Sequence, residues 1–217
     1  MTREVHIETK KAYENPIVAK KYLEAYGEDF HKELAKDFAQ SLPGKRVLDL
    51  GCGPGHYVKH FSQLGYEVTG LDYSDEMIRV ANGLDAHAAF KVGDMRDVGT
   101  LFPEGSFDGV WANASLLHIP FADIGEVLDG VARILSNGGK FLIRTKKGKT
   151  GMREVEENLY GTTVTREYTY WEEEDLKKEL EGHGFIVIES VDEHEDVRVE
   201  ESKRSIDWIQ LTAEIRK

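Results

Sequence analysis

The chain is short of cysteine, of long apolar runs and of positive charge, and each shortage closes off a class of function. Cys52 is its single cysteine, so no internal disulfide forms and no metal centre can be built on several thiolates. No apolar stretch approaches the roughly 18 residues that a membrane-spanning helix needs. The opening segment "MTREVHIETKKAYEN" lacks the apolar centre of a signal peptide, which makes a reducing cytoplasm the expected compartment. Against 40 Asp and Glu stand 28 Lys and Arg, giving a formal net charge of -12 and a pI of about 5.2. Such a surface repels long polyanions, so nucleic acid is a poor default partner, short of a local basic patch. Internal repeats and low-complexity tracts are missing as well.

What the chain does have is 217 residues with 40% hydrophobic content, enough for one compact domain over 1–217. Ala19, Tyr22, Leu23, Tyr26, Phe30, Leu34 and Phe38 recur at spacings of three and four, which predicts an N-terminal helical cap over 1–41. Pro16 suits a first helical turn, and Gly27 is placed to divide the cap. Alternation begins after "SLPGK". "RVLDLG", "YEVTGLDY", "AAFKVGD", "FDGVWANAS" and "KFLIRTKK" read as strands. "HYVKHFSQLG", "SDEMIRVANGL" and "IGEVLDGVARILSNGG" read as helices between them, with Ser74 as an N-cap and Gly65 as a terminator. This spacing predicts an α/β, doubly wound, mostly parallel sheet with helices on both faces. The polar segment 147–170 interrupts the rhythm and reads as an insertion over one sheet edge, on the substrate side. A helix, "EEEDLKKELEGHG", follows. Then "FIVIESV" and "IDWIQLTAEIR", joined by the acidic loop "DEHEDVRVEESKR", predict a closing antiparallel C-terminal hairpin.

The stretch "VLDLGCGPG" ends a strand and opens a helix, with Gly51, Gly53 and Gly55 between them. Glycine there lets backbone amides approach a ligand. A dinucleotide site would show G-x-G-x-x-G, but His56 stands at the sixth position. Asp49, two residues before the first glycine, would repel a diphosphate and suits a ligand carrying an ammonium and a sulfonium. Asp72 ends the second strand, where a carboxylate can accept both hydroxyls of a ribose. Asp94 ends the third, placed to face an adenine amino group. Three acids at three successive strand ends would line one ligand.

Through "VLDLGCGPG", "VTGLDYSDEMI", "VGDM", "FDGVWANASLLHI" and "VARILSNGGKFLI" the chain resembles the class I S-adenosylmethionine-dependent methyltransferases, most closely the small single-domain members acting on small molecules or modified tRNA bases. The resemblance implies a Rossmann-like, seven-stranded sheet and S-adenosyl-L-methionine as cofactor. It implies that Asp49, Gly51, Cys52, Gly53 and Gly55 form the turn around the methionine part, and that Asp72 holds the ribose. Tyr73 and Met77 would flank the adenine, Asp94 and Met95 would meet its edge, and Asn113 and Ala114 would lie near the departing methyl. The absence of "NPPY" after the fourth strand argues against the group that methylates adenine or glutamine amino nitrogens.

On the acceptor side, His118 is a candidate general base or a structural hydrogen-bonding residue. Tyr22, with Tyr13, is core packing or part of a lid. Tyr168, Tyr170 and Trp171 are placed to line an acceptor pocket, the first two on one face if that stretch is extended. "KKGK", Lys146 to Lys149, reads as a solvated loop, or else as a seat for an anionic substrate group. Methyl transfer requires no metal. The expected acceptor is a small molecule. The alternatives are a tRNA or protein acceptor, and a non-catalytic cofactor-binding module of the same fold.

Overall fold

A computed structural model describes residues 7–25, 31–84, 88–159, 161–199 and 202–217. Tyr26, Gly27 and Phe30 of the expected cap lie outside the described residues. The helices α1 (Ile7–Tyr13), α2 (Pro16–Ala25) and α3 (Lys32–Gln40) precede the sheet, with Pro16 at the first position of α2. Then follow β1 (Arg46–Leu50), α4 (His56–Gln63), β2 (Glu67–Asp72), α5 (Asp75–Leu84) and β3 (Ala89–Val92). Next come α6 (Val98–Leu101), β4 (Phe107–Asn113), α7 (Ile124–Ile134) and β5 (Leu135–Lys146). The hairpin β6 (Gly151–Leu159) and β7 (Thr162–Tyr170), helix α8 (Glu173–Gly182), and strands β8 (Phe185–Val199) and β9 (Ser202–Ile215) complete the chain.

Seven strands form one sheet in the order β3-β2-β1-β4-β5-β9-β8. The first five are parallel, while β9 runs antiparallel to both β5 and β8. From β1 the chain winds outward through β2 and β3, then returns to β1's other side as β4. The strand order therefore reverses between β1 and β4, which opens a crevice at their carboxyl ends.

Side-chain alternation in the central strands feeds two cores, one on each face of the sheet. Leu48, Leu50, Val110 and Ala112 pack with Val127, Leu128 and Val131 of α7. Val47, Trp111 and Leu142 point the other way, onto Phe38 of α3 and Phe61 of α4. Trp111 is fully buried, with ring centroids 5.5 Å from Phe38, 5.0 Å from Tyr57 and 5.5 Å from Phe61. Ser74 Oγ accepts from the Met77 N–H at 3.1 Å as the α5 cap, and Gly65, at φ 82°, ends the turn after α4.

Three segments depart from the sequence expectation. Helix α7 stops at Ile134, and "LSNGG" already belongs to β5. Gly138 takes φ 74°, and a Cβ on Gly139 would lie 2.8 Å from the Ser136 carbonyl, so neither glycine extends the helix. The polar insertion is a regular hairpin, paired from Gly151 with Tyr170 to Leu159 with Thr162. It packs inward rather than over a sheet edge: Glu167 N–H donates to Thr9 Oγ1 of α1 at 3.2 Å, and Thr169 Oγ1 to the Ile119 carbonyl at 2.6 Å. The acidic "loop" near the C-terminus is strand almost throughout, with Glu193 opposite Trp208 and Glu195 opposite Ile206. Its charges obscure the alternation because this ribbon extends past the sheet.

At the amino end of the sheet, Asp108 on β4 accepts from Arg46 Nε at 3.1 Å, Nη2 at 2.7 Å and the Arg46 N–H at 3.1 Å, and from Ser136 Oγ at 2.9 Å. The hydrogen bonds from Arg46 hold its carboxyl below the usual range. A group lowered on folding stabilises the fold above its unfolded value and loses that effect as pH falls through the folded one. Asp108→Asn is therefore expected to cost about 1–2 kcal/mol at neutral pH. Urea unfolding should show wild type and variant converging below about pH 4. A gap that persists in acid would refute this.

Candidate active site

The β1–α4 turn forms the floor of the crevice. Gly51, Gly53 and Gly55 take φ of 80°, 51° and 90°. At Gly51 the constraint is also steric, since a Cβ there would lie 2.3 Å from Ser115 Cβ. Ser115 Oγ donates to the Leu50 carbonyl at 2.5 Å, which closes β4's carboxyl end onto β1's. A Cβ on Gly53 would meet nothing within 4 Å. Gly53 instead borders open space, in a cavity of about 980 Å³ that the glycine turn shares with α2, α4, β7 and β9.

Asp72 ties the turn to β2. Its Oδ2 accepts from the Gly53 N–H at 2.9 Å and its Oδ1 from the Ser74 N–H at 2.9 Å. Burial outweighs these hydrogen bonds and pushes its carboxyl up to about 6. Asp49 is 2% exposed, and its Oδ2 has no hydrogen-bond partner. Burial, and then the neighbouring Asp72, raise its pKa well above the carboxylate range. Burial, Asp49 and Asp72 likewise push the Cys52 thiol up, so Cys52 fills the turn as a neutral thiol rather than a nucleophile.

The remaining expected residues sort into two groups around the cavity. Tyr73 lines it, and its buried hydroxyl has no partner. Met77 also lines it and packs with Tyr13 and Tyr22. Asp94 and Met95 lie at its margin, where Asp94 is engaged by Arg96: Nη2 lies 2.5 Å from Oδ2, and Arg96 Nη1 bridges on to Asp123 at 2.9 Å. Asn113 Nδ2 donates to Tyr57 OH at 2.5 Å, while its buried Oδ1 has no partner. Ala114 sits at φ 55°, an uncommon conformation for a side-chain-bearing residue, with its N–H on the Arg144 carbonyl at 2.8 Å.

Opposite the turn, Tyr22, His118, Tyr168 and Tyr170 line the same cavity. His118 Nδ1 faces the Glu167 carbonyl at 3.2 Å, which can only accept, so that nitrogen carries the proton. Its Nε2 then accepts from Tyr13 OH at 2.9 Å, and the Tyr13 oxygen accepts from Arg166 Nη1 at 2.7 Å. Arg166 pairs with Glu157, which also accepts from Tyr168 OH at 2.9 Å. Trp171, expected here, is instead in the core against Phe121. In "KKGK" only Lys146 reaches the cavity: it is 9% exposed and not solvated, with Nζ 3.5 Å from the Tyr168 ring centroid. Arg96, Tyr57, Arg144 and Arg166 were missed by sequence reasoning. Alternation within β5 and β7 held the signal for the last two, which share a face with Lys146 and Tyr168 respectively.

The fold, with its strand order reversing between β1 and β4, is shared with solved methyltransferase structures. A family model described as a methyltransferase domain matches residues 48–143, from β1 into β5. Malonyl-[acyl-carrier protein] O-methyltransferase of Erwinia billingiae is 35% identical over 114 residues, 52% of this chain and 43% of that protein. A ubiquinone biosynthesis O-methyltransferase of Xanthomonas oryzae pv. oryzae is 35% identical over 108 residues, 48% of this chain and 44% of that protein. The match thus spans less than half the length of these curated relatives. Among solved structures, a methyltransferase from Methanosarcina mazei has the same fold, with a TM-score of 0.73 at 20% identity over 84% of this chain and 97% of that one. So does the 1,6-didemethyltoxoflavin-N1-methyltransferase of Burkholderia thailandensis, solved with 1,6-didemethyltoxoflavin and S-adenosylhomocysteine. Its TM-score is 0.67 at 20% identity, over 100% of this chain and 94% of that one.

The raised carboxyl of Asp72 has a consequence for the ligand-free protein. An acid whose value rises on folding stabilises the fold below its unfolded value, and that contribution is lost as pH rises through the folded one. Thermal unfolding should therefore show stability falling between about pH 4 and pH 6. Asp72→Asn is expected to flatten this fall, and an unchanged slope in the variant would contradict the assignment.

Proposed function

We propose that this protein transfers the methyl group of S-adenosyl-L-methionine to a small-molecule acceptor. The observation that carries the reading is a buried carboxyl group, Asp49, whose Oδ2 has no partner, beside a second buried acid and a glycine turn left open to the cavity. Such an arrangement is costly unless a cation completes it. The residues present fit the cofactor. Asp49 supplies a buried carboxyl that an adjoining cation would ionise, and Asn113 Oδ1 a further acceptor, for an ammonium and a sulfonium. Asp72 retains acceptor capacity for ribose hydroxyls. Tyr73 and Met77 supply faces for an adenine. Met95 and the Asp94–Arg96 pair form its edge, with part of Asp94's acceptor capacity already committed to Arg96.

When bound, the cofactor supplies an electrophilic methyl on sulfur. The chain's own contribution is to orient and to exclude water. Holding the acceptor in line with that methyl is worth about 7–11 kcal/mol. Ala114, strained where β4 ends, and the wall formed by Tyr13, His118 and Tyr168 set that line. His118 has both nitrogens engaged while Tyr13 is in place, so it seats the wall, and acceptors that ionise without a base suit this site. We place the reaction in the cytoplasm, and treat residues 1–41 and 147–170 as a cap and an insertion of one domain over 1–217.

Titration calorimetry tests the reading. S-adenosylmethionine and S-adenosylhomocysteine are expected to bind, and Asp72→Ala to weaken both by about tenfold or more. Absence of binding at millimolar concentration would overturn it. Tight binding with no turnover across a broad acceptor panel would point to a non-catalytic module, and strongly salt-dependent acceptor binding to a nucleic acid.

A further inference from the structure

The wall opposite the glycine turn has its polar groups spent on one another. Tyr13 OH donates to His118 Nε2 at 2.9 Å and accepts from Arg166 Nη1 at 2.7 Å, while His118 Nδ1 is held by the Glu167 carbonyl at 3.2 Å. Tyr168 OH donates to Glu157 at 2.9 Å, and Glu157 also pairs with Arg166. Arg144 donates from Nε to Glu193 at 2.7 Å and from Nη2 to Glu195 at 3.1 Å, and its guanidinium lies 4.1 Å from the Trp208 ring centroid. Lys146 lies over the Tyr168 ring. Among the described residues of this wall two buried donors lack a partner, Arg166 Nε and Trp208 Nε1, and neither atom is open to solvent. Pairing of this kind leaves a ligand mainly ring and hydrocarbon surface to meet.

That surface is gathered from distant parts of the chain. Leu117, Tyr168 and Trp208 form a buried apolar cluster, Val155, Tyr170 and Ile206 pack against it, and all six line the cavity. Leu117 follows β4, Val155 belongs to β6, the two tyrosines to β7, and Ile206 and Trp208 to β9. Ala114 packs on the same cluster, one residue before the Ser115 that seats on Gly51, so the apolar cleft adjoins the glycine-turn end. His118, 5.1 Å from Tyr168, and Tyr13, edge-on to His118 at 5.4 Å, extend the ring surface. Ile206 is half-buried and lies two residues past the last pairing of β9 with β5, Trp208 with Lys146. It belongs to neither of the two sheet cores and packs only on this cleft. Such a lining favours a ligand that gives up apolar surface to it, and leaves a polyhydroxylated one short of hydrogen-bond partners. Ring–ring contacts add attraction beyond apolar burial, which selects an aromatic body over a saturated one of the same size. From this juxtaposition we propose that the methyl acceptor is a small, largely apolar aromatic molecule, seated in the cleft between β7 and β9, and that Ile206 is a specificity-determining contact to its ring.

This proposal rests on the methyltransferase reading, and one experiment separates the two. S-adenosylhomocysteine is first titrated by calorimetry into wild type, Ile206→Ser and Ile206→Leu. The loaded proteins are then titrated with 2-naphthol and with its saturated counterpart decahydro-2-naphthol. Wild type is expected to bind 2-naphthol about fivefold or more tightly than the saturated alcohol. Ile206→Ser is expected to bind 2-naphthol about fivefold or more weakly than wild type while keeping its affinity for S-adenosylhomocysteine, and Ile206→Leu to stay within about twofold of wild type for both. Equal binding of the two alcohols, undiminished 2-naphthol binding in Ile206→Ser, loss of S-adenosylhomocysteine binding in that variant, or binding of neither alcohol at millimolar concentration would overturn the proposal and leave the cofactor reading standing. Failure of S-adenosylhomocysteine to bind wild type would remove the reading beneath it.

Discussion

The site depends on a contact that permits no side chain. Ser115 Cβ lies 2.3 Å from where a Cβ on Gly51 would stand, and Ser115 Oγ is hydrogen-bonded to the Leu50 carbonyl. This close seat of the Ser115 side chain on the Gly51 backbone joins the ends of β1 and β4, the two strands between which the order of the sheet reverses. The crevice opens there because neighbouring connections leave in opposite directions. Its floor is left bare because the φ angles of Gly51, Gly53 and Gly55 carry the chain into α4 along a path that side-chain-bearing residues rarely follow.

Electrostatics then divides the cavity. Asp49 and Asp72 are buried against the turn, and each raises the cost of ionising its surroundings, Cys52 included. Most of the opposite wall comes from elements outside residues 48–143: α1 brings Tyr13, β7 brings Arg166 and Tyr168, and β9 brings Trp208, while His118 comes from within that segment. The glycine-turn end of the cavity is thus made within the segment that the family model matches, and most of the opposite end outside it.

Much of this was legible in one dimension. Strand–helix alternation, the Gly51–Gly55 turn, the strand-end acids Asp72 and Asp94, the Ser74 cap and the C-terminal antiparallel pair are local patterns, set by residues near one another in the chain. The misreadings share a cause. "LSNGG" reads as helix because Leu135 continues the apolar spacing of α7, whereas Gly138 takes a positive φ and the segment pairs into β5. The acidic ribbon of β8 hid its period of two behind charges, although Glu193 and Glu195 are two apart because both turn to Arg144. Lys146 reads as a loop lysine until β7 supplies the ring over which it lies.

The sequence alone determined the alternation of strands and helices from β1 to β5, the bare turn and the row of acids, since each follows from short-range sterics, hydrogen bonding and apolar spacing. Tertiary structure alone decided that Tyr13, His118 and Arg166, spread over more than 150 positions, form one hydrogen-bonded wall, with Arg166 donating to Tyr13 from 153 residues away. It also decided that a strongly acidic chain folds cations inward. Pairing between distant segments depends on which side chains are buried together, and burial is a property of the packed molecule, which no local pattern encodes.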